Sequence, residues 1–198
     1  MKKIYITNSM SIYVFKNVYE PSDDTWLLME LIEPRKINGK VVVDTCSGTG
    51  ILGIYSWIIG RPRKIVFIDI SEQAIANIMF NIKHLNLCDY LILRCDLLRC
   101  LNEHSVDVVL ANPPYLPGIG KDLDLYGGVH GYEIILDLII EANRVLRNKG
   151  FLFLVYSSLS NEDIIIDYLH KYGFKVYRKK SKHFFFEDII AIEAIKEN

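Results

Sequence analysis

Residues 40–59 read KVVVDTCSGTGILGIYSWII. Val41 to Val43 continue an apolar run that stops at a polar turn, as a strand buried on both faces would. The turn, Asp44-Thr45-Cys46-Ser47-Gly48-Thr49-Gly50, leaves room only for a tight reversal before residues 50–59 resume as an apolar helix. A strand that enters a helix through small residues is the opening unit of a parallel α/β sheet.

The rest of the chain repeats the unit. KIVFID (64–69) is a second buried strand. Ser71 is placed to cap EQAIANIMFNIKHLNL, where Ala74, Ile75, Ile78, Met79 and Ile82 make a stripe at helical spacing. YLILRC (90–95) and VDVVLAN (106–112) are strands three and four. YEIILDLIIEANRVLRNKG reads as a helix closed by Gly150, and FLFLVYS as strand five. NEDIIIDYLHKYGF is a further helix, and KVYRKK with FFFEDIIAIEAI makes a closing antiparallel hairpin. Five strands and a hairpin predict one doubly wound, mostly parallel, seven-stranded Rossmann-like sheet. No repeat, low-complexity segment or linker interrupts it. Residues 1–198 are therefore read as one domain, with an N-terminal segment and capping helix (1–38) before the core (40–198). The longest unpatterned stretch is 115–130, where Gly118, Gly120, Gly127 and Gly128, with Gly131 beyond, suggest a functional loop that orders over a substrate.

Composition excludes several classes. A formal charge of −1 gives no electrostatic footprint for a polyanion, so direct nucleic-acid binding is not expected. The basic run Arg178-Lys179-Lys180-Ser181-Lys182 reads as a solvated hairpin end. Apolar runs of about ten residues are too short to span a bilayer, and the N-terminus lacks a signal-peptide core. Cys46, Cys88, Cys95 and Cys100 have no CxxC spacing; they read as reduced thiols of a cytoplasmic protein, with no metal site.

In open α/β sheets ligands sit outside the carboxyl ends of the strands. Strand one is followed by Asp44, Cys46, Gly48 and Gly50, whose small side chains let a ligand approach backbone. Strand two ends at Asp69, suited to accept both hydroxyls of a ribose. Asp96, after strand three, is placed to read an adenine edge. A dinucleotide is a poor match, because the turn lacks the first glycine of GxGxxG and Asp44 would repel phosphate. An adenosine carrying a cation, as in S-adenosylmethionine, fits the three acids. Strand four ends in Asn112-Pro113-Pro114-Tyr115. The Asn112 amide and the Pro113 carbonyl can accept both hydrogens of one –NH2 group, which orients its lone pair without acting as a base. Tyr115 can stack on a flat amide or base beside the sulfonium.

With DTCSGTG, FIDIS and RCDLL before it, NPPY resembles the class I S-adenosylmethionine-dependent methyltransferases that act on amide or exocyclic amino nitrogens. VYEPSDDTWLLMELI (18–32) and LYGGVHGYEIILDLI (125–139) are similar to segments of the HemK-like release-factor glutamine methyltransferases of eukaryotes and archaea. Cys46 stands where that family often has glycine. The resemblance implies N5-methylation of the glutamine in the Gly-Gly-Gln tripeptide of a class 1 release factor. It implies Asn112, Pro113 and Tyr115 as catalytic residues, with Pro114 joining them around the substrate. Thr25 would close over the methionine end of the cofactor. It also implies a small zinc-binding activator, for which the strand-three edge is the expected dock. RNA or DNA methylation at adenine N6 or guanine N2 uses the same paired acceptors and is the alternative; protein lysine methylation exploits them less well.

Overall fold

The computed structural model describes residues 1–118 and 125–197. A hairpin, β1 (Lys2–Tyr5) and β2 (Ser11–Val14), opens the chain, followed by the short helices α1 (Asp23–Met29) and α2 (Pro34–Ile37). Then come β3 (Val41–Thr45), α3 (Ile51–Gly60), β4 (Lys64–Asp69), α4 (Glu72–Leu85), β5 (Tyr90–Arg94) and β6 (Val106–Ala111). The chain closes with α5 (Glu133–Val145), β7 (Leu146–Ser157), a 3-10 turn at Ser158–Ser160, α6 (Glu162–Lys171), β8 (Phe174–Phe184) and β9 (Glu187–Lys196).

The main sheet has seven strands in the order β5-β4-β3-β6-β7-β9-β8. β3 to β7 run parallel, and β9 lies antiparallel between β7 and β8. From β3 the connections wind outward to β4 and β5; from β6 they wind the other way. The carboxyl ends of β3 and β6, which pair through Thr45 and Ala111, therefore form the switch point where such sheets bind ligands. Two apolar layers cover the sheet. Leu138 and Ile139 of α5 with Ile165 and Leu169 of α6 pack one face, and Leu28, Ile54 and Ile78 of α1, α3 and α4 pack the other.

Three expectations change. The helix expected to close at Gly150 ends at Val145, because Leu146 already pairs with Val106 at the start of β7. Gly150 lies instead within β7, where the pairing with β6 shifts register between Leu146 and Phe151, and a Cβ there would lie 2.8 Å from the Arg147 carbonyl oxygen. On α4, Ser71 caps as expected, accepting from Ala74 N (3.3 Å). Its apolar stripe is interrupted, however. Met79 is 57% exposed, while Asn77 and Asn81 are fully buried. These two amides take the exposed backbone of β2: Asn81 Oδ1 accepts from Tyr13 N (2.8 Å), Asn77 Oδ1 accepts from Phe15 N (2.7 Å), and both Nδ2 groups donate to Tyr13 O. A buried asparagine pays its desolvation cost only with such partners, and no hydropathy pattern shows them. The basic run is not a hairpin end but the body of β8, where Arg178, Lys179, Lys180 and Lys182 each pair with a carboxylate.

Strand three of the sequence reading, β5, is the open edge of the sheet. The β1–β2 hairpin docks on α4 rather than beside β5. Tyr90 and Leu91 stay 45% and 43% exposed.

Candidate active site

The turn after β3 is shaped by backbone geometry. Cys46, Gly48 and Gly50 all take positive φ (52°, 54° and 80°). A side chain is strained in that region, so Cys46 holds a conformation that suits glycine. Burial pushes its thiol up to about 12, so it stays protonated. Next to Gly48 the space is open: a Cβ there would meet only Tyr19 and Val18, at 4.0 Å.

Two of the three expected acids meet at this turn. Asp69 accepts from Gly48 N (2.8 Å) through Oδ2 and from Ser71 N (2.9 Å) through Oδ1. Each oxygen retains a lone pair, so the half-buried carboxylate is oriented without being saturated. Asp44 is fully buried and accepts from Gly53 N (2.8 Å) through Oδ2. Burial holds Asp44 well above the usual carboxylate range, and the nearby charge of Asp69 adds to the rise. Burial raises Asp69 as well. Asp96 is not drawn into this cluster; it is exposed and paired with Arg99. Cys95 N donates to the Asp69 carbonyl (3.0 Å), so Asp96 flanks Asp69 along the sheet edge.

Two buried side-chain oxygens have no partner among the described residues, Asp44 Oδ1 and Thr49 Oγ1. Both belong to the β3–α3 turn. Stranded acceptors in a buried turn are costly unless a ligand completes them. An ammonium can donate to either oxygen, and its charge favours the ionised form of Asp44. The donor set therefore fits S-adenosylmethionine.

The β6 exit forms the opposite wall. Pro113 is buried and Asn112, Pro114 and Tyr115 are half-buried. Asn112 Nδ2 donates to Thr25 Oγ1 (3.2 Å), and Thr25 Oγ1 donates to Asp24 Oδ1 (3.1 Å). Tyr115 Oη and Tyr19 Oη both donate to Asp24 Oδ2, at 2.8 and 2.7 Å. Burial, with the Asp24 charge beside them, raises both phenols, which therefore stay protonated and donate. With its nitrogen committed to Thr25, Asn112 presents Oδ1 as its acceptor. Among the described residues neither Asn112 Oδ1 nor the Pro113 carbonyl receives a hydrogen bond.

Asp24 is the residue that sequence reasoning missed. Two adjacent acids at a helix start read as complements to the helix dipole. Asp23 fits that reading, being exposed and paired with Lys182. Asp24 is instead buried and gathers four donors, including Thr25 N (2.5 Å). Ser22 occupies the N-cap position without a side-chain bond.

The glycine-containing loop packs on this wall. Gly127 N donates to Leu116 O (3.0 Å), and a Cβ at Gly127 would lie 2.6 Å from the Pro114 carbonyl oxygen. A Cβ at Gly131 would lie 2.4 Å from Tyr115 O. Glycine here permits contact between two backbones. Glu133 braces the loop by accepting from His130 N (3.0 Å) and from its ring Nδ1 (2.8 Å). Residues 119–124, Gly120 among them, lie outside the described residues.

The family model described as methyltransferase small domain matches residues 13–183. The chain is 33% identical over 184 residues to a putative protein N5-glutamine methyltransferase of Methanocaldococcus jannaschii, covering 89% of this chain and 91% of that one. It is 26% identical over 171 residues to a release factor glutamine methyltransferase of Mycoplasma mycoides, covering 77% of this chain but only 60% of that longer protein. Among solved structures it superposes with TM-score 0.70 and 26% identity on a chain of the E. cuniculi Mtq2–Trm112 complex, covering 91% of this chain and 99% of that one. That complex is described as responsible for methylating the eRF1 translation termination factor.

Proposed function

The chain belongs to the methyltransferase small domain family, and from that premise we propose that it methylates the side-chain amide of the glutamine in the Gly-Gly-Gln tripeptide of a class 1 release factor, in the cytoplasm. The protein is an S-adenosylmethionine-dependent methyltransferase. The observation that carries the substrate reading is the pair of unfilled acceptors, Asn112 Oδ1 and Pro113 O, beside an Asn112 nitrogen tied to Thr25.

S-adenosylmethionine supplies a methyl group on a sulfonium. The remaining roles fall to this chain. Asp69 would hold the ribose hydroxyls with its free lone pairs, and Asp44 and Thr49 would take the ammonium. Thr25, Cys46, Gly48 and Gly50 would line the approach to the methionine end, and Asp96 would face the adenine. Asn112 Oδ1 and Pro113 O would accept the two hydrogens of the acceptor –NH2, which fixes the nitrogen and aims its weak lone pair. That gain is positional and electrostatic. Tyr115, its hydroxyl held by Asp24, would keep its ring against the flat amide, with Pro114 stiffening the backbone between. A neutral asparagine takes no proton, so the design orients a poor nucleophile rather than deprotonating it.

Incubation with labelled cofactor and an intact class 1 release factor, followed by mass spectrometry, tests the assignment. One methyl on the Gly-Gly-Gln glutamine, lost when that glutamine is replaced, is expected. Label in RNA and none in the factor would overturn it.

A small zinc-binding activator adding a strand to β5 is the partner that the open edge supports. An edge strand leaves N–H and C=O groups unpaired, and β5 carries neither lysine nor proline to blunt it. Leu91→Lys should abolish copurification of the pair; an intact complex would move the partner elsewhere.

A further inference from the structure

Two groups stand out among the large apolar side chains exposed on the described residues. One group, Met79, Phe80, Tyr90 and Leu91, lies along α4 and β5. A second lies at the opposite side of the active site and has no role in the chemistry above. Its extreme members are Phe185 and Phe186, 96% and 93% exposed at the turn between β8 and β9.

The register places that turn. Ala111, the last residue of β6, pairs with Leu154, and Leu154 pairs with Ile192 of β9. Phe186 lies six residues before Ile192, so at about 3.3 Å per residue the turn overhangs the end of β6 by about 20 Å. Its foot stands two strand spacings, about 10 Å, from β6. The hairpin is a prong rising from the rim of the site.

The prong is fixed to the acceptor wall from two sides. Ser157 Oγ donates to Glu187, and Asp188 N donates to Ser158 Oγ (2.9 Å). Two residues on, Ser160 Oγ donates to the Tyr115 carbonyl oxygen. On the other flank Lys182 pairs with Asp23, the neighbour of Asp24. Phe184, the first of the three phenylalanines, packs against the core and anchors the turn. Leu159, also exposed, lies between Ser158 and Ser160 at the foot.

We propose that Phe185 and Phe186 form the docking prong for the folded protein acceptor, seated in an apolar depression of that protein while its acceptor side chain enters the Asn112–Tyr115 pocket. A contact that overhangs the end of β6 by about 20 Å serves a macromolecule, not a free amino acid. Two adjacent, solvent-facing aromatics supply the rigid anchor that dominates protein interfaces. A single-stranded nucleic acid would also stack on them, but it needs cations beside the stacking platform. The lysines and arginine of β8 towards the turn are already paired, Arg178 with Glu33 and Glu193, Lys179 with Glu162, Lys180 with Glu30 and Lys182 with Asp23, while Lys175 lies at the far end of the hairpin. The chemistry left for recognition is apolar.

The proposal rests on the glutamine reading, and the experiment separates them. The full chain and its Phe185→Ser/Phe186→Ser variant are assayed on an intact release factor, on a short Gly-Gly-Gln peptide and on RNA. Wild-type turnover of factor and peptide tests the glutamine reading without the prong. The variant should raise KM for the intact factor at least tenfold, leave kcat for it and all constants for the peptide unchanged, and be restored by Phe185→Leu/Phe186→Leu. Equal constants for variant and wild type on the factor would overturn the prong and leave the glutamine reading standing. An equal loss on factor and peptide would do the same, since it marks a disturbed site. Label in RNA alone would remove both. A change in the sedimentation of the protein alone would assign the pair to contacts between copies and also overturn the proposal.

Discussion

On the cofactor side of the site, polar groups are held by the backbone of nearby chain. Asp44 takes the amide of Gly53, nine residues on, and Asp69 takes that of Gly48, 21 residues back. On the acceptor side they are held by other side chains from far along the sequence. Asn112 meets Thr25 across 87 residues, and Tyr115 meets Asp24 across 91. The floor is thus a property of adjoining βα units, whereas the wall exists only once the N-terminal segment has docked. Binding of cofactor and positioning of acceptor should be separable by mutation.

The sharpest separation is expected from Asn112→Ala. It should lower turnover by about 10²–10³-fold, the scale of losing one preorganised transition-state contact, and leave cofactor affinity nearly intact. Single-turnover rates and calorimetry measure the two; lost affinity with unchanged chemistry would merge wall and floor. Asp24→Ala strands two phenols and frees Thr25. A loss in kcat of about 10²-fold is expected from the misplaced Tyr115 and Asn112. If cofactor affinity falls instead, the N-terminal segment belongs to the floor.

Asp69→Ala probes the other side. Cofactor binding should weaken by about 1.5–3 kcal/mol, since the ribose hydroxyls lose a charged acceptor but find water. A cofactor complex with Asp69 turned from the ribose would exclude that contact. Asp44 gives a pH signal. Burial lifts it, so the folded protein keeps this proton at pH values where the unfolded chain has lost it. Stability from this group therefore falls as pH rises from the ordinary carboxylate range through the folded value. An ammonium beside it favours the ionised form, so cofactor binding should release a proton and tighten as pH rises across that window. Calorimetry in two buffers of different ionisation enthalpy reads the proton; uptake would contradict the placement. Smallest is Cys46→Gly, which relieves φ +52° at the cost of extra chain entropy. A net gain of about 1 kcal/mol or less is expected, a Tm rise of up to about 2–4 °C. A lower Tm would show that the thiol packs usefully.

The same contrast explains what the sequence disclosed. Strand ends announce themselves where an apolar run meets an acid or NPPY, so Asp44, Asp69 and Asn112 were legible, as was the edge position of β5. Asp96 was placed by the same rule and stands at its strand end beside Asp69, but its pairing with Arg99 left no sign in the sequence. Asp24 was illegible because its meaning lies in Tyr19 and Tyr115. Asn77 and Asn81 were illegible too, since the β2 backbone they bind lies more than 60 positions away. Long-range side-chain bonds leave no local pattern.

The clamp of Asn77 and Asn81 on β2 has a consequence for the protein's birth. Residues 11–25 leave the ribosome before their partners: Asn77 and Asn81 of α4 follow the β2 residues they bind by more than 60 residues, and Tyr115 follows Asp24 by about 90. At about 5–20 residues per second the segment waits roughly 5–20 s for its last partner. Until α3 and α4 emerge, Ile12, Leu27 and Leu28, each buried in the finished protein, lack the helices they pack against. Of the segments that build the acceptor wall, the one made before the others is completed last, and a nascent chain stopped short of Tyr115 carries that wall in two unjoined pieces.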